Sequence, residues 1–424
     1  MTDLALPPAI AAAIIADAQL WQNFNELCDC GGRLAGTASE KQAMAYVRDA
    51  IAAVDGMRCS TVPVAYNGWQ ATRATLTANG RTFRVHPLVR SAATPPAGLT
   101  AEVVDLGRGT PEEFEAHKAD IAGRIVLVRH ELMFAAGTIH RRRKIEMAQA
   151  AGAVGFLIAS SQPGLLVTGS SGRDSGPGIP CLATTGEAAA ALRRTAAGWP
   201  LATMVVETRE QAAVTETLIA EIAGAGDDWI VLSAHVDGHD VNESAMDNAS
   251  GVAAVLATAR ALAPHVGTWQ RGLRVMFFSV EEWALTGSAQ YVRALAEAER
   301  NGISLNVNLD SVAGSPHLTA MTSGFAGLEP FLLATAEANN QSLRTVRPLM
   351  MNSDHGNFAA AGIPAFRLVA GYDDPMAHLR FVLTEADTRD KVARGELTTA
   401  TLLAAAIVHA AAKAAPEQAQ TWRR

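Results

Sequence analysis

The chain has 424 residues, more than one average domain needs, so its length predicts two folding units. Hydrophobic residues at 49% and charged residues at 18% exclude a disordered chain. A formal net charge of -7 argues against a nucleic-acid partner, and the one basic cluster, "HRRRK" (His140 to Lys144), reads as a solvated helix face.

The opening stretch, "MTDLALPPAIAAAIIADAQLWQNF", lacks a basic n-region and is interrupted by Pro7, Pro8 and Asp17, so it predicts an amphipathic helix rather than a signal peptide. Cys28, Cys30, Cys59 and Cys181 show no disulfide framework, and nothing calls for an oxidising compartment. No stretch supplies the roughly 18 consecutive apolar residues of a membrane span. A cytoplasmic protein with no membrane partner is the expectation. In "CGGRLAGTASEKQAMAYVRDAIAAV", Gly36, Thr37 and Ser39 are turn and cap residues before a helix over Glu40 to Val54. Residues 58–90 read as short antiparallel strands turned at Asn67-Gly68 and Asn79-Gly80, and Ser91 to Leu99 as a linker.

From about 100 to 205 the pattern is that of a compact module: strands at 123–130 and 154–160, a helix at 144–153 and a Gly/Ser-rich loop at 168–178. Beyond about 215, strand, loop and helix alternate. The strands are "DWIVLSAHVD", "LRVMFFSVEE", "ISLNVNLDSV" and "PAFRLVAG", with helices near 249–263, 286–299, 328–340 and 396–413. Continuous apolar strands between helices predict an α/β fold, a mostly parallel mixed sheet sandwiched by helices, with the smaller α/β module inserted. The implied division is 1–99 and 206–424 for the main domain and 100–205 for the insertion. The apolar C-terminal helix, Leu402 to Ala412, reads as core or as a homodimer face.

Three of these strands end in charge: His235-Val236-Asp237, Glu281-Glu282, and Asp310, with Asp247-Asn248 just before a helix. Singly, each has a bland reading as a cap or a solvated strand end. Together they stand where open α/β sheets bind ligands. Carboxylates gathered at one sheet edge repel one another unless a cation neutralises them, and a mixed imidazole and carboxylate set suits zinc.

The segments "HVD…AMDNASGVA", "FFSVEEWALTGS", "NLDSVAG", "SDHGNFAAAGIPA" and "TEADTRDKV" resemble the co-catalytic di-zinc exopeptidases, a family that includes aminopeptidase Y, the leucyl aminopeptidases and the glutamate carboxypeptidases. The likeness is closest to the plasma glutamate carboxypeptidases, and residues 100–205 look like a protease-associated domain. The resemblance implies two zinc ions. It makes His235, Asp247, Glu282 and Asp310 metal ligands, Asp237 the orienter of His235, and Glu281 the general base. The family's last histidine falls four residues before the Asp of a "DT" pair; here that position is Leu383, before Asp387-Thr388. His378 is the favoured replacement, His355 its rival, and a second site lacking its histidine is the third reading.

The implied activity is hydrolysis of a terminal bond of short peptides, by an aminopeptidase or a dipeptidase. Asp373 suits a substrate amine; Arg173 and Arg367 suit a substrate carboxylate. Alternatives on the same scaffold are a single-zinc acyltransferase resembling glutaminyl cyclase, an amidohydrolase, and a non-catalytic scaffold.

Overall fold

The computed structural model describes residues 4–174, 176–196 and 198–424. It divides into two compact units. The first comprises the chain up to Tyr66, Val214–Val382 and Asp387–Arg424; the second comprises Asn67–Ala213 and Leu383–Ala386. Both main crossings fall inside long strands, Arg58–Ala78 and Leu201–Ile222, and so in extended backbone. The stretch Ser91 to Leu99, expected as a linker, lies within the second unit. There the Trp69 indole donates to the Ser91 carbonyl at 2.9 Å, and the Thr94 amide to the Val206 carbonyl at 2.9 Å.

In the first unit the four apolar runs form parallel neighbours in the order Ala365–Ala370, Ile303–Leu309, Trp229–His235, Gly272–Phe278. Leu318–Met321 adds antiparallel at one side, with Leu343–Val346 beyond it, and the end of Leu201–Ile222 adds antiparallel at the other. The chain leaves Trp229–His235 for its neighbour on one side, then returns to pair on the opposite side. Such a reversal opens a crevice at the carboxyl ends of the strands.

Both faces of this sheet are covered, which is why its strands carry apolar runs without alternation. On one face Val231, Met276 and Phe278 pack with Tyr291 and Phe358 in a buried cluster; each such aromatic contributes on the order of 1.5–3 kcal/mol by burial. On the other lie Gly251–Val266 and Arg394–Lys413. Every residue from Leu403 to Ala412 is buried, so the C-terminal helix is core, as a helix apolar on all sides requires. The stretches Ala245–Val266 and Arg394–Lys413 are long and apolar enough to span a membrane, but 72% of each window is buried inside the protein.

The opening stretch forms two helices, Pro8–Ala16 and Ala18–Asp29, instead of one. Asp17 divides them: its backbone is extended, its carboxylate accepts from the Gln19 amide at 2.8 Å, and it pairs with Arg260 at 2.7 Å.

The second unit has its own sheet, in which Leu99–Asp105, Ile125–Arg129, Gly155–Ala159 and Cys181–Thr184 run parallel in that order. Two buried clusters, one around Val126 and Phe156 and the other around Leu127 and Leu157, cover its faces. Asn67-Gly68 is not a turn; Arg58–Ala78 runs straight through it. A two-residue hairpin turn of the favoured type needs positive φ at both positions, and Asn79 (51°) and Gly80 (71°) supply it. The register there is Ala78 opposite Arg81.

Candidate metal centre

The last residue of the strand Trp229–His235 is a histidine with a ring 1% exposed. Its Nδ1 lies 3.0 Å from the Asp237 carbonyl and 3.7 Å from the Asp237 carboxylate. Donation to that carbonyl leaves Nε2 as the free donor atom toward the crevice. Asp237 thus meets the other nitrogen of His235 more closely through its main-chain carbonyl than through its carboxylate. That carboxylate accepts from the Glu281 amide at 3.1 Å and the Glu282 amide at 3.2 Å. One aspartate thus ties the first strand end to the second.

His235 Nε2 faces Asp247 Oδ1 at 3.1 Å and Asp310 Oδ2 at 3.7 Å. Donor atoms of His235, Glu281 and Asp310 all lie within 4.8 Å of one another. Asp247 sits in a distorted turn, Ala245–Ser250, that precedes the helix Gly251–Val266. Two buried groups shape that turn. The Asp387 carboxylate accepts from the amides of Met246 at 2.7 Å and Asp247 at 3.2 Å. Asn248 donates to the Leu309 carbonyl at 2.9 Å and accepts from the Gly251 amide at 2.9 Å.

Arg33 holds the approach to the turn from below. It is fully buried, and its guanidinium donates to the carbonyls of Val236, Glu243 and Ser244, each at 2.8 Å, and of Leu27 at 3.1 Å. Arg33 is not visible in the sequence as part of the site, and the Asp387-Thr388 pair marks a motif there without showing the clamp that Asp387 makes. The only sign of Arg33 is an arginine after the Gly31-Gly32 pair.

The electrostatics describe a site built for a cation. Burial drives the Glu281 carboxyl well above its ordinary range, and Glu282, Asp354 and Asp310 add repulsion. Burial works against charging His235, yet Glu281 together with bonds to Asp237, Asp247 and Asp310 carries it well above its ordinary value. Asp310 is the exception: although buried, it is held low by the Arg367 guanidinium. Glu282 Oε1 is buried and makes no hydrogen bond among the described residues. A buried carboxylate oxygen left bare beside three further carboxylates and an imidazole fits a bound divalent ion, and the nitrogen and oxygen donors suit zinc.

The other expected residues are placed as follows. His378 is half-buried in the turn His378–Phe381; its Nδ1 lies 2.7 Å from the Lys391 carbonyl, which leaves Nε2 available. A Cβ on Gly314 would lie between Met246 and His378, so the histidine packs beside the Asp247 turn. It is not one of the three residues that converge within 4.8 Å. Leu383 belongs to the second unit, where its carbonyl accepts from the Thr168 amide at 2.8 Å. His355 is fully buried, and burial pushes its imidazole down to about 3.

Two residues expected at the substrate have protein partners in the structure. Arg367 is 2% exposed and donates to Asp310 Oδ1 at 2.9 Å and to the Asn352 carbonyl at 2.8 Å. Asp373 is exposed and bound bidentately by Arg344 at 2.7 and 3.0 Å, so its charge is already matched. Arg173 lies in the second unit, where it forms an ion pair with Glu210 and donates to the Arg90 carbonyl at 2.7 Å.

Residues 217–408 match the model of Peptidase family M28, and residues 87–192 match that of the PA domain. The main body of the chain is therefore similar to Peptidase family M28. Relatives of known name agree with that match. The chain is 27% identical to the probable lipoprotein aminopeptidase LpqL of Mycobacterium tuberculosis, over 80% of this chain and 70% of that one. It is also 27% identical to aminopeptidase YwaD of Bacillus subtilis, over 67% of this chain and 59% of that one. Among solved structures, a Peptidase M28 precursor from Shewanella amazonensis superposes with a TM-score of 0.79 at 21% identity, covering 96% of this chain and 95% of its own. A zinc aminopeptidase from Bacillus subtilis gives 0.75 at 24% identity, covering 93% and 95%. These structural likenesses carry the expected α/β fold with its insertion.

Proposed function

We propose that the protein is a zinc-dependent exopeptidase that removes the N-terminal residue of short peptides. The observation that carries this reading is the buried convergence of His235, Asp247, Glu281 and Asp310, with Glu282 adjacent, at the carboxyl ends of three neighbouring strands. The family match and the aminopeptidase names of the relatives support it. In this reading His235, Asp247, Glu282, Asp310 and His378 hold two zinc ions. The bound metal would polarise the scissile carbonyl and make water a nucleophile near neutral pH.

The remaining work falls to this chain's own groups. The Glu281 carboxylate takes a proton from the attacking water and returns it to the leaving amine. Asp237 holds the Glu281 and Glu282 amides, so base and ligand share one anchor. Arg367 fixes Asp310 through Oδ1.

The test is zinc content per chain by elemental analysis, with hydrolysis measured on a panel of dipeptides, N-acetylated dipeptides and aminoacyl amides. About two zinc ions, with cleavage that needs a free amine, is the expected result. One ion or none without hydrolysis would refute the reading. Cleavage of the acetylated dipeptides would refute recognition of the amine.

A further inference from the structure

The motif that supplies His235 contains a second buried histidine, His239, four residues further on. Its backbone has one path. The His239 amide donates to Ser244 Oγ at 3.0 Å, and the Gly238 amide donates to the Arg33 carbonyl at 3.0 Å. Gly32 approaches the His239 carbonyl so closely that a Cβ there would overlap its oxygen, and a Cβ on Gly238 would overlap Ser244 Oγ. On this path the His239 ring is 1% exposed and its Nε2 lies 2.8 Å from Glu282 Oε2, on a side chain 9% exposed. An ionised carboxylate only accepts, so a proton shared across this approach would lie on His239 Nε2. The other oxygen of Glu282, Oε1, is the buried one with no hydrogen bond among the described residues.

A glutamate is a flexible ligand with two equivalent oxygens. Tying one oxygen to a buried ring on a closely packed backbone leaves the other to face a cation in one direction. We propose that His239 is a positioning residue: it donates Nε2–H to Glu282 Oε2 and so presents Glu282 Oε1 as a single, oriented metal donor. The inference rests on the metal-site reading above. Hydrogen-bonded partners of ligating carboxylates commonly govern metal affinity by about 10–100-fold, and the 2.8 Å between His239 Nε2 and Glu282 Oε2 is within hydrogen-bond distance.

The experiment measures zinc affinity of the full chain by competition with a chromogenic chelator, for the parent protein, His239→Leu and His239→Gln. Leucine fills the space without a donor; glutamine restores an N–H donor without an imidazole. The expected result is a loss of about 10–100-fold at one zinc site in His239→Leu, the other site being unchanged. Recovery of most of that loss in His239→Gln completes the expectation. Parent-like affinity in His239→Leu overturns the proposal. So does a glutamine variant no better than the leucine one, which would make the imidazole itself a ligand. Should the leucine variant not fold, the glutamine variant decides alone: affinity within about threefold of the parent supports the proposal, and a loss of about tenfold or more overturns it. A parent protein that takes up no zinc refutes the metal reading instead, on a different sample.

Discussion

Replacing Arg33 with Met tests whether the Asp247 turn is held from outside the metal centre. The guanidinium makes four hydrogen bonds of 2.8–3.1 Å to the carbonyls of Leu27, Val236, Glu243 and Ser244. Hydrogen bonds from a charged donor contribute about 1.5–3 kcal/mol each, so the gross loss is about 6–12 kcal/mol. Methionine refills most of the volume and the loop relaxes in part, which leaves an expected loss of at least about 4 kcal/mol, an exceptional value for one side chain. The loss falls on the segment that runs from His235 to Asp247. Hydrogen exchange followed by mass spectrometry should show the amides of 236–247 opening about a thousandfold more readily, at about 1.4 kcal/mol per tenfold. Arg33→Lys keeps the charge but not the fork and should lose about half as much. Exchange in Arg33→Met within about tenfold of the parent would refute the reasoning.

Glu281→Gln should lower hydrolysis by about 10²–10⁴-fold with zinc content unchanged; activity lost only in step with lost zinc would remove its role as base. In the second unit, burial above all, aided by Arg141 and Lys144, lowers the His130 imidazole from 6.5 to about 3. The unfolded chain then binds a proton that the folded one refuses. Stability should therefore fall as pH drops below 6.5, by up to about 2 kcal/mol at pH 5. Denaturation curves at pH 7 and 5 should show this dependence reduced in His130→Asn, and identical curves would refute it. Lys144→Met removes an ammonium 1% exposed and 2.6 Å from Glu131 Oε2. Because Arg108 still pairs with Glu131, the cost should be about 1.5–3 kcal/mol instead of the 3–5 of an orphaned buried charge, read from the denaturation midpoint. Asp373→Ala breaks an exposed pair and should leave stability within about 0.5 kcal/mol and KM unchanged; a tenfold rise in KM would restore Asp373 as the amine holder.

The charged residues at the strand ends were legible because each closes an apolar run, and the four runs are parallel neighbours in the structure. Partners far apart in the chain were not legible. Arg367 offers the same residue type whether it meets a substrate or Asp310, and only the register of Ala365–Ala370 against Ile303–Leu309 places it beside the aspartate. Asp373 looks like an amine site until Arg344 is found across it. Asn67-Gly68 and Asn79-Gly80 read alike as turns, and the backbone distinguishes them by φ.

Local chemistry, which the sequence carries in full, determined the α/β alternation, the inserted module and the acidic set at the sheet edge. Periodicity and residue type depend only on near neighbours. The tertiary structure decided which of those groups face one another. It brought Asp387 and Arg33 onto the Asp247 turn, spent Arg367 on Asp310, and set His239 against Glu282. Each is a contact between segments distant in the chain, fixed by how strands register and loops pack, and a single sequence holds no local mark of such a pairing.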